Sequence, residues 1–145
     1  MSVTGLTHVI FVGGINDIGL PGLLNSMEIP TLEVTAEQII SEHKRIIARI
    51  KQHGLIAIGG TLTPSGGFAA PAYFEETSNA KRQTINNWIR NSGSYDLVID
   101  FDAALRDPKK NEQIKPELTA DGLHPNTIGY KKMAETAYSA LGPHL

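Results

Sequence analysis

The chain has 145 residues, 41% hydrophobic and 19% charged, with a formal net charge of −2 and an isoelectric point near 6.2. That balance argues against a nucleic acid or an anionic membrane as the main partner, and the absence of cysteine rules out disulfides, thiolate catalysis and cysteine metal sites. The length predicts a single domain over 1–145, and with no apolar run as long as a membrane span and no signal-peptide pattern at Met1–Leu6, the reading is a soluble chain. It is cytoplasmic if the sequence is complete as given, and its compartment is otherwise unassigned.

The first element is Val9-Ile10-Phe11-Val12, a short β-branched and aromatic run that stops at Gly13-Gly14. It reads as a strand buried on both faces with a turn at its C-terminal end. Asn16 and Asp17 follow at the rim. Gly19 to Thr31, with two glycines and two prolines, reads as a loop. Thr35 and Gln38 then form a capping box before the stripe Ile39, Ile40, His43, Ile46, Ile47 and Ile50, a helix stopped by Gly54.

Leu55–Ile58 is a second strand, followed by Gly59-Gly60 and the polar loop through Thr61 and Ser65. A second helix begins near Ser78, with Ala80, Ile85, Trp88 and Ile89 inward, and Asp96–Phe101 makes a third strand. Asn126 caps a last helix whose apolar face is Met133, Ala134, Ala137, Tyr138 and Leu141. Strands alternating with helices predict a parallel sheet with right-handed crossovers, an α/β layered fold. Ligands bind such sheets outside the carboxyl ends of the strands. The segments Gly14–Asp17, Thr61–Ser65 and Asp121–His124 therefore gather on one rim.

Asp121 and His124, three apart before a helix, can work as a general base whose imidazole a carboxylate orients; the same residues also fit a surface turn. Asn16 can donate its amide to a developing oxyanion or close an Asx-turn on its own strand. Of the remaining histidines, His43 belongs to the core edge, while His8, His53 and His144 sit at element ends. Two ligands without a third support no metal, and Gly13-Gly14 lacks the spacing of a dinucleotide or phosphate loop, so no cofactor is expected.

Gly14-Ile15-Asn16-Asp17 after a strand and Asp121-Gly-Leu-His124-Pro125 before the last helix resemble the G-x-N-D and D-x-x-H blocks of the SGNH (GDSL-type) ester hydrolases. Gly60–Pro64, Ala80-Lys-Arg82, Trp88-Ile89-Arg90 and Val98–Asp102 resemble bacterial members too, so the likeness runs along essentially the whole chain. It implies a flavodoxin-like three-layer α/β/α sandwich acting on small carboxylic esters. It also implies Asn16 as oxyanion donor, with Gly14 in the same loop, His124 as base and Asp121 as its orienting acid.

The Gly-Asp-Ser nucleophile block that opens the family's sequences does not occur here. By the resemblance, the chain corresponds to the C-terminal portion of the fold, truncated to three main strands. Three sources of a nucleophile stay open: a water activated by His124, a serine near the rim with Ser65 first and Ser26 second, or a companion chain. In one serine protease, loss of the nucleophile costs about 10⁶ in turnover, leaving roughly 10³–10⁴ over water. The readings are then a shortened, weakly active esterase, a silent binding or assembly module, or half of a two-chain enzyme. An uncovered edge on Val9–Val12 further predicts a homo-oligomer through that strand.

Overall fold

The sheet is built from β1, His8–Phe11, β2, Ile56–Gly60, and β3, Leu97–Ile99, in the order β1-β2-β3 with both pairings parallel. Its helices are α1, Ile15–Ser26, α2, Ala36–Gln52, α3, Glu76–Asn91, α4, Phe101–Leu105, and α5, Thr127–Leu141. This computed structural model describes residues 4–73 and 75–142, with Pro71 as backbone only, so His144 lies outside the described residues.

Alternation along the strands sorts the core into two faces. Val9, Phe11, Ala57 and Val98 pack with Ile39, Ile47 and Ile50 of α2 and Ile85 and Ile89 of α3. On the opposite face Ile58, Ile99 and Leu97 pack with Met133, Ala137, Ala140 and Leu141 of α5. The arrangement is the expected three-layer α/β/α sandwich of flavodoxin type. The layers are unequal. Ile10, Val12 and Ile56 share the α5 face yet remain 47%, 45% and 37% exposed, because α5 lies over β2 and β3 and leaves the β1 flank bare. Among the described residues no strand pairs with the outer side of β1.

Helix α2 follows its sequence closely. The Thr35 hydroxyl accepts from the Gln38 N–H at 3.2 Å, the Gln38 side chain returns a bond to the Thr35 N–H at 2.8 Å, and His53 and Gly54 close the C-terminus. Other stretches depart from expectation. Most of the segment read as a loop from Gly19 is helix α1, which carries Pro21 inside it. Its glycines are contact surfaces: a Cβ on Gly19 would collide with the Tyr73 ring, and one on Gly22 would come within 2.9 Å of the Ala72 Cβ. The helix thus packs closely on the 3-10 turn Pro71–Tyr73, and this contact offsets the low helix propensity of both residues.

The third strand is shorter than its apolar run because the Asp100 side chain accepts from the Ala103 N–H and starts α4. Helix α3 begins two residues before Ser78, and Ala80 faces solvent rather than the core. On α5 the half-buried seam against the sheet runs through Met133, Ala137, Ala140 and Leu141, whereas Ala134 and Tyr138 are exposed.

Candidate active site

The turn after β1 carries the first half of the site. Gly14 is the N-cap of α1 with φ +119°, a left-handed backbone that glycine tolerates and side chains resist. Having no side chain, it leaves the first N–H groups of α1 without a side-chain cap. Asn16 is the second helical residue, exposed at the rim. Its Oδ1 accepts the Tyr73 hydroxyl at 3.2 Å, so the amide is fixed from the 3-10 turn and not by an Asx-turn, and its Nδ2 hydrogens are left to donate. Burial pushes the Tyr73 phenol up, which keeps the proton that makes this bond.

The second half sits on the loop before α5. Asp121 Oδ1 accepts from the backbone N–H of Leu123 at 2.9 Å and of His124 at 2.8 Å, and Oδ2 lies 2.7 Å from His124 Nδ1. Thr119 cross-ties the loop: its Oγ1 accepts from the Gly122 N–H at 3.0 Å and donates to the His124 carbonyl at 2.7 Å. The loop is the Asp-Gly turn that the sequence allowed. That turn is also what brings the carboxylate onto the imidazole. The His124 side chain, then the loop amides, hold the Asp121 carboxyl far below the ordinary carboxylate range. With Nδ1 engaged and the ring mostly exposed, Nε2 is the nitrogen open to a reactant.

Two contacts join the halves. Phe68 stands edge-on to Tyr73 at 5.3 Å and to His124 at 6.3 Å between ring centroids, so one aromatic pair reaches from the Asn16 anchor to the base. Gly122, at φ +83°, lies backbone to backbone against Gly67 in the loop after β2, and a Cβ there would overlap the Gly67 backbone. The chain matches the GDSL-like lipase/acylhydrolase family over residues 3–132.

The chain belongs to that family.

Solved structures agree on the fold. A GDSL-like lipase from Bacteroides thetaiotaomicron superposes with a TM-score of 0.78 at 18% identity, covering 96% of this chain and 63% of the other. A protein assigned as an acylhydrolase from Bacteroides fragilis gives 0.75 at 18% identity, with 94% and 62% covered. A protein assigned to the lipolytic G-D-S-L family, from Desulfitobacterium hafniense, gives 0.55 at 17% identity, with 93% and 99% covered. The chain therefore spans less than two thirds of the length of the first two. No curated protein sequence matches it.

Within this family frame the serines are placed as follows. Ser65 is buried, 3% exposed, and its Oγ donates to the Tyr73 carbonyl at 2.6 Å, which ties the loop after β2 to the residue that anchors Asn16. Ser26 caps the far end of α1 by donating to the Leu23 carbonyl at 2.7 Å, about 15 Å along the helix from Asn16 at 1.5 Å per residue. Among the described residues no serine hydroxyl hydrogen-bonds to His124, and no three His, Asp or Glu side chains gather as metal ligands do.

Sequence reasoning missed a buried ionic network beneath the rim. Arg82, 2% exposed, donates to Asp102 Oδ1 at 2.6 Å and to the Leu62 carbonyl at 3.3 Å. Arg90 reaches both Asp100, at 2.7 and 2.8 Å, and Asp102, at 2.6 Å. Thr61 joins them, donating to Asp100 at 3.0 Å and accepting the Asp102 N–H at 2.9 Å. Asn86 grips both the N–H and the carbonyl of Leu62. Burial works to raise the Asp100 carboxyl, and its bonds to Arg90 and the Ala103 amide outweigh that, holding it below its ordinary value. Together these groups hold the chain at Thr61 and Leu62, where it leaves β2. The available signal was Asp100 and Asp102 flanking Phe101, opposite two arginines about two turns apart on α3.

Proposed function

We propose that the chain hydrolyses small carboxylic esters, with His124 as general base, Asp121 as its orienting acid, and Asn16 with the Gly14 corner as the oxyanion site. The observation that carries this reading is the 2.7 Å contact of His124 Nδ1 with Asp121 Oδ2, at the rim that also holds Asn16, in a chain of the GDSL-like family. His124 Nε2 takes the proton of the attacking hydroxyl as its oxygen bonds to the acyl carbon, and Asp121 stabilises the imidazolium. The negative charge moves to the former carbonyl oxygen, where the Asn16 amide donates to it. Collapse breaks the bond to the alkoxide, which leaves with the proton from His124.

With Ser65 committed to the Tyr73 carbonyl and Ser26 remote, the attacking hydroxyl in the isolated chain is that of water. The open outer side of β1 favours a second arrangement, in which another chain pairs there and brings a serine; the same edge would also serve a second copy of this chain. Turnover of a short-chain p-nitrophenyl ester, lost in His124→Ala, supports the hydrolase. Turnover that survives His124→Ala overturns the role given to the His124–Asp121 pair, and no turnover in any assembly overturns the hydrolase in favour of a silent binding module. Labelling of the isolated chain by a serine-reactive phosphonate would overturn the choice of water.

A further inference from the structure

His43 occupies the middle of the apolar stripe of α2, 2% exposed, where an aliphatic residue would pack without a desolvation cost. Both ring nitrogens are in use. Nε2 lies 3.1 Å from the Gly13 carbonyl and Nδ1 2.8 Å from the Tyr95 hydroxyl. A carbonyl can only accept, so Nε2 carries the hydrogen. Burial disfavours a second proton on the ring, outweighing the Gly13 carbonyl and the Asp17 carboxylate, which favour it. Nδ1 is therefore bare and accepts from Tyr95, whose buried phenol is pushed up and keeps its proton. Phe11, Trp88 and Tyr95 stand edge-on around the imidazole at 4.9, 5.8 and 6.1 Å, which blocks its rotation.

The carbonyl it holds is not a ladder group. Pairing of β1 with β2 ends at Phe11 opposite Gly59, so Gly13 lies beyond the strand. In a trans peptide the carbonyl and the next N–H point opposite ways. Drawing the Gly13 oxygen toward the core thus turns the Gly14 N–H away from it.

We propose that His43 is a positioning residue for the oxyanion corner: by holding the Gly13 carbonyl it fixes the Gly13–Gly14 peptide, aims the Gly14 N–H outward and sets the start of α1, the helix that carries Asn16. The proposal rests on the ester-hydrolase reading for its catalytic consequence, and its structural part is tested separately. Tyr95 holds the imidazole in the required tautomer, as an outer-shell partner does for a catalytic histidine.

The test compares His43→Phe, which keeps a ring and loses the donor, with His43→Gln, whose amide can still donate to Gly13. Kinetics on a short-chain p-nitrophenyl ester are read beside ¹H–¹⁵N spectra of the Gly14 amide and the Asn16 side chain. In His43→Phe the Gly14 and Asn16 signals move or broaden and kcat falls about tenfold or more with KM little changed, short of the ~10²–10³ lost with an oxyanion donor itself. His43→Gln retains both. Should His43→Phe not fold, Tyr95→Phe shows a smaller change of the same sign. A kcat and Gly14 signal unmoved in a folded His43→Phe, or an equal loss in His43→Gln, overturns the proposal. Displaced signals in an already inactive chain overturn the hydrolase reading instead and leave the positioning intact.

Discussion

Both oxygens of Asp121 are committed within four residues, one to backbone amides and one to His124, so the loop and the dyad are a single object. Asp121→Asn removes the negative partner of the imidazolium and is expected to lower ester kcat by about 10²–10⁴, with His124→Ala at least as severe. Asn16→Ala, read the same way, lowers kcat by roughly 10²–10³ with little change in KM. The Asp121 carboxyl, held far below its usual range, stays ionised from pH 5 to 9 on a roughly conventional scale and contributes no acid limb to a pH–rate profile. His43 acts on stability. Its proton affinity in the fold is below the ordinary value of 6.5, so below that pH the unfolded chain binds more protons and stability falls with acidity. The neighbouring Asp17 charge reduces this effect without reversing it, and Tyr95 remains neutral. Urea midpoints measured from pH 7 to 5 should decline, and His43→Gln should flatten the decline.

At the scale of elements, what could be read ahead of the structure depended on whether a signal was local. The α2 capping box and the Asn126 cap are written in neighbouring residues and appear as expected, and the three strands alternate with α2, α3 and α5 in the expected order, with α1 and α4 added between them. Asp121 and His124 were legible because one turn contains both. Helix α1 was not, since Gly19 and Gly22 look like loop residues until Tyr73 and Ala72, some fifty residues away, lie against them. The α5 seam slipped as well: Tyr138 is apolar enough to suggest burial, yet it stands 75% exposed while Met133, Ala137, Ala140 and Leu141 pack on the sheet. The Arg82–Asp102 pair left only a charge pattern in the sequence, because its partners are on different elements. Removing one side of it, as in Asp102→Ala, leaves a buried charge unpaired and should cost about 3–5 kcal/mol, measurable by denaturant unfolding. Gly122→Ala should damage the site more than the fold, because the new Cβ meets Gly67 and pushes the dyad loop away from the loop after β2. The expected result is a well-folded chain with ester turnover reduced about tenfold or more, as for a displaced catalytic group.

For the molecule as a whole, the decisive property is the lopsided sandwich, with α2 and α3 packed along one face and α5 covering only the β2 and β3 side of the other. Ile10 and Val12 lie where that second face and the open edge of β1 meet. Paired β1 strands about a two-fold axis would extend the sheet, and sedimentation at micromolar concentration should show a species heavier than one chain. Ile10→Lys should return it to a monomer, since a charged edge residue opposes strand addition. A monodisperse wild-type monomer would count against this. The bare edge also bears on what a melting experiment measures. When whatever covers β1 comes from another molecule, folding free energy includes a mass-action contribution that grows with the logarithm of that molecule's concentration. The chain's apparent melting temperature would then be a property of the solution, rising on dilution's reverse and falling when the covering partner is thinned out.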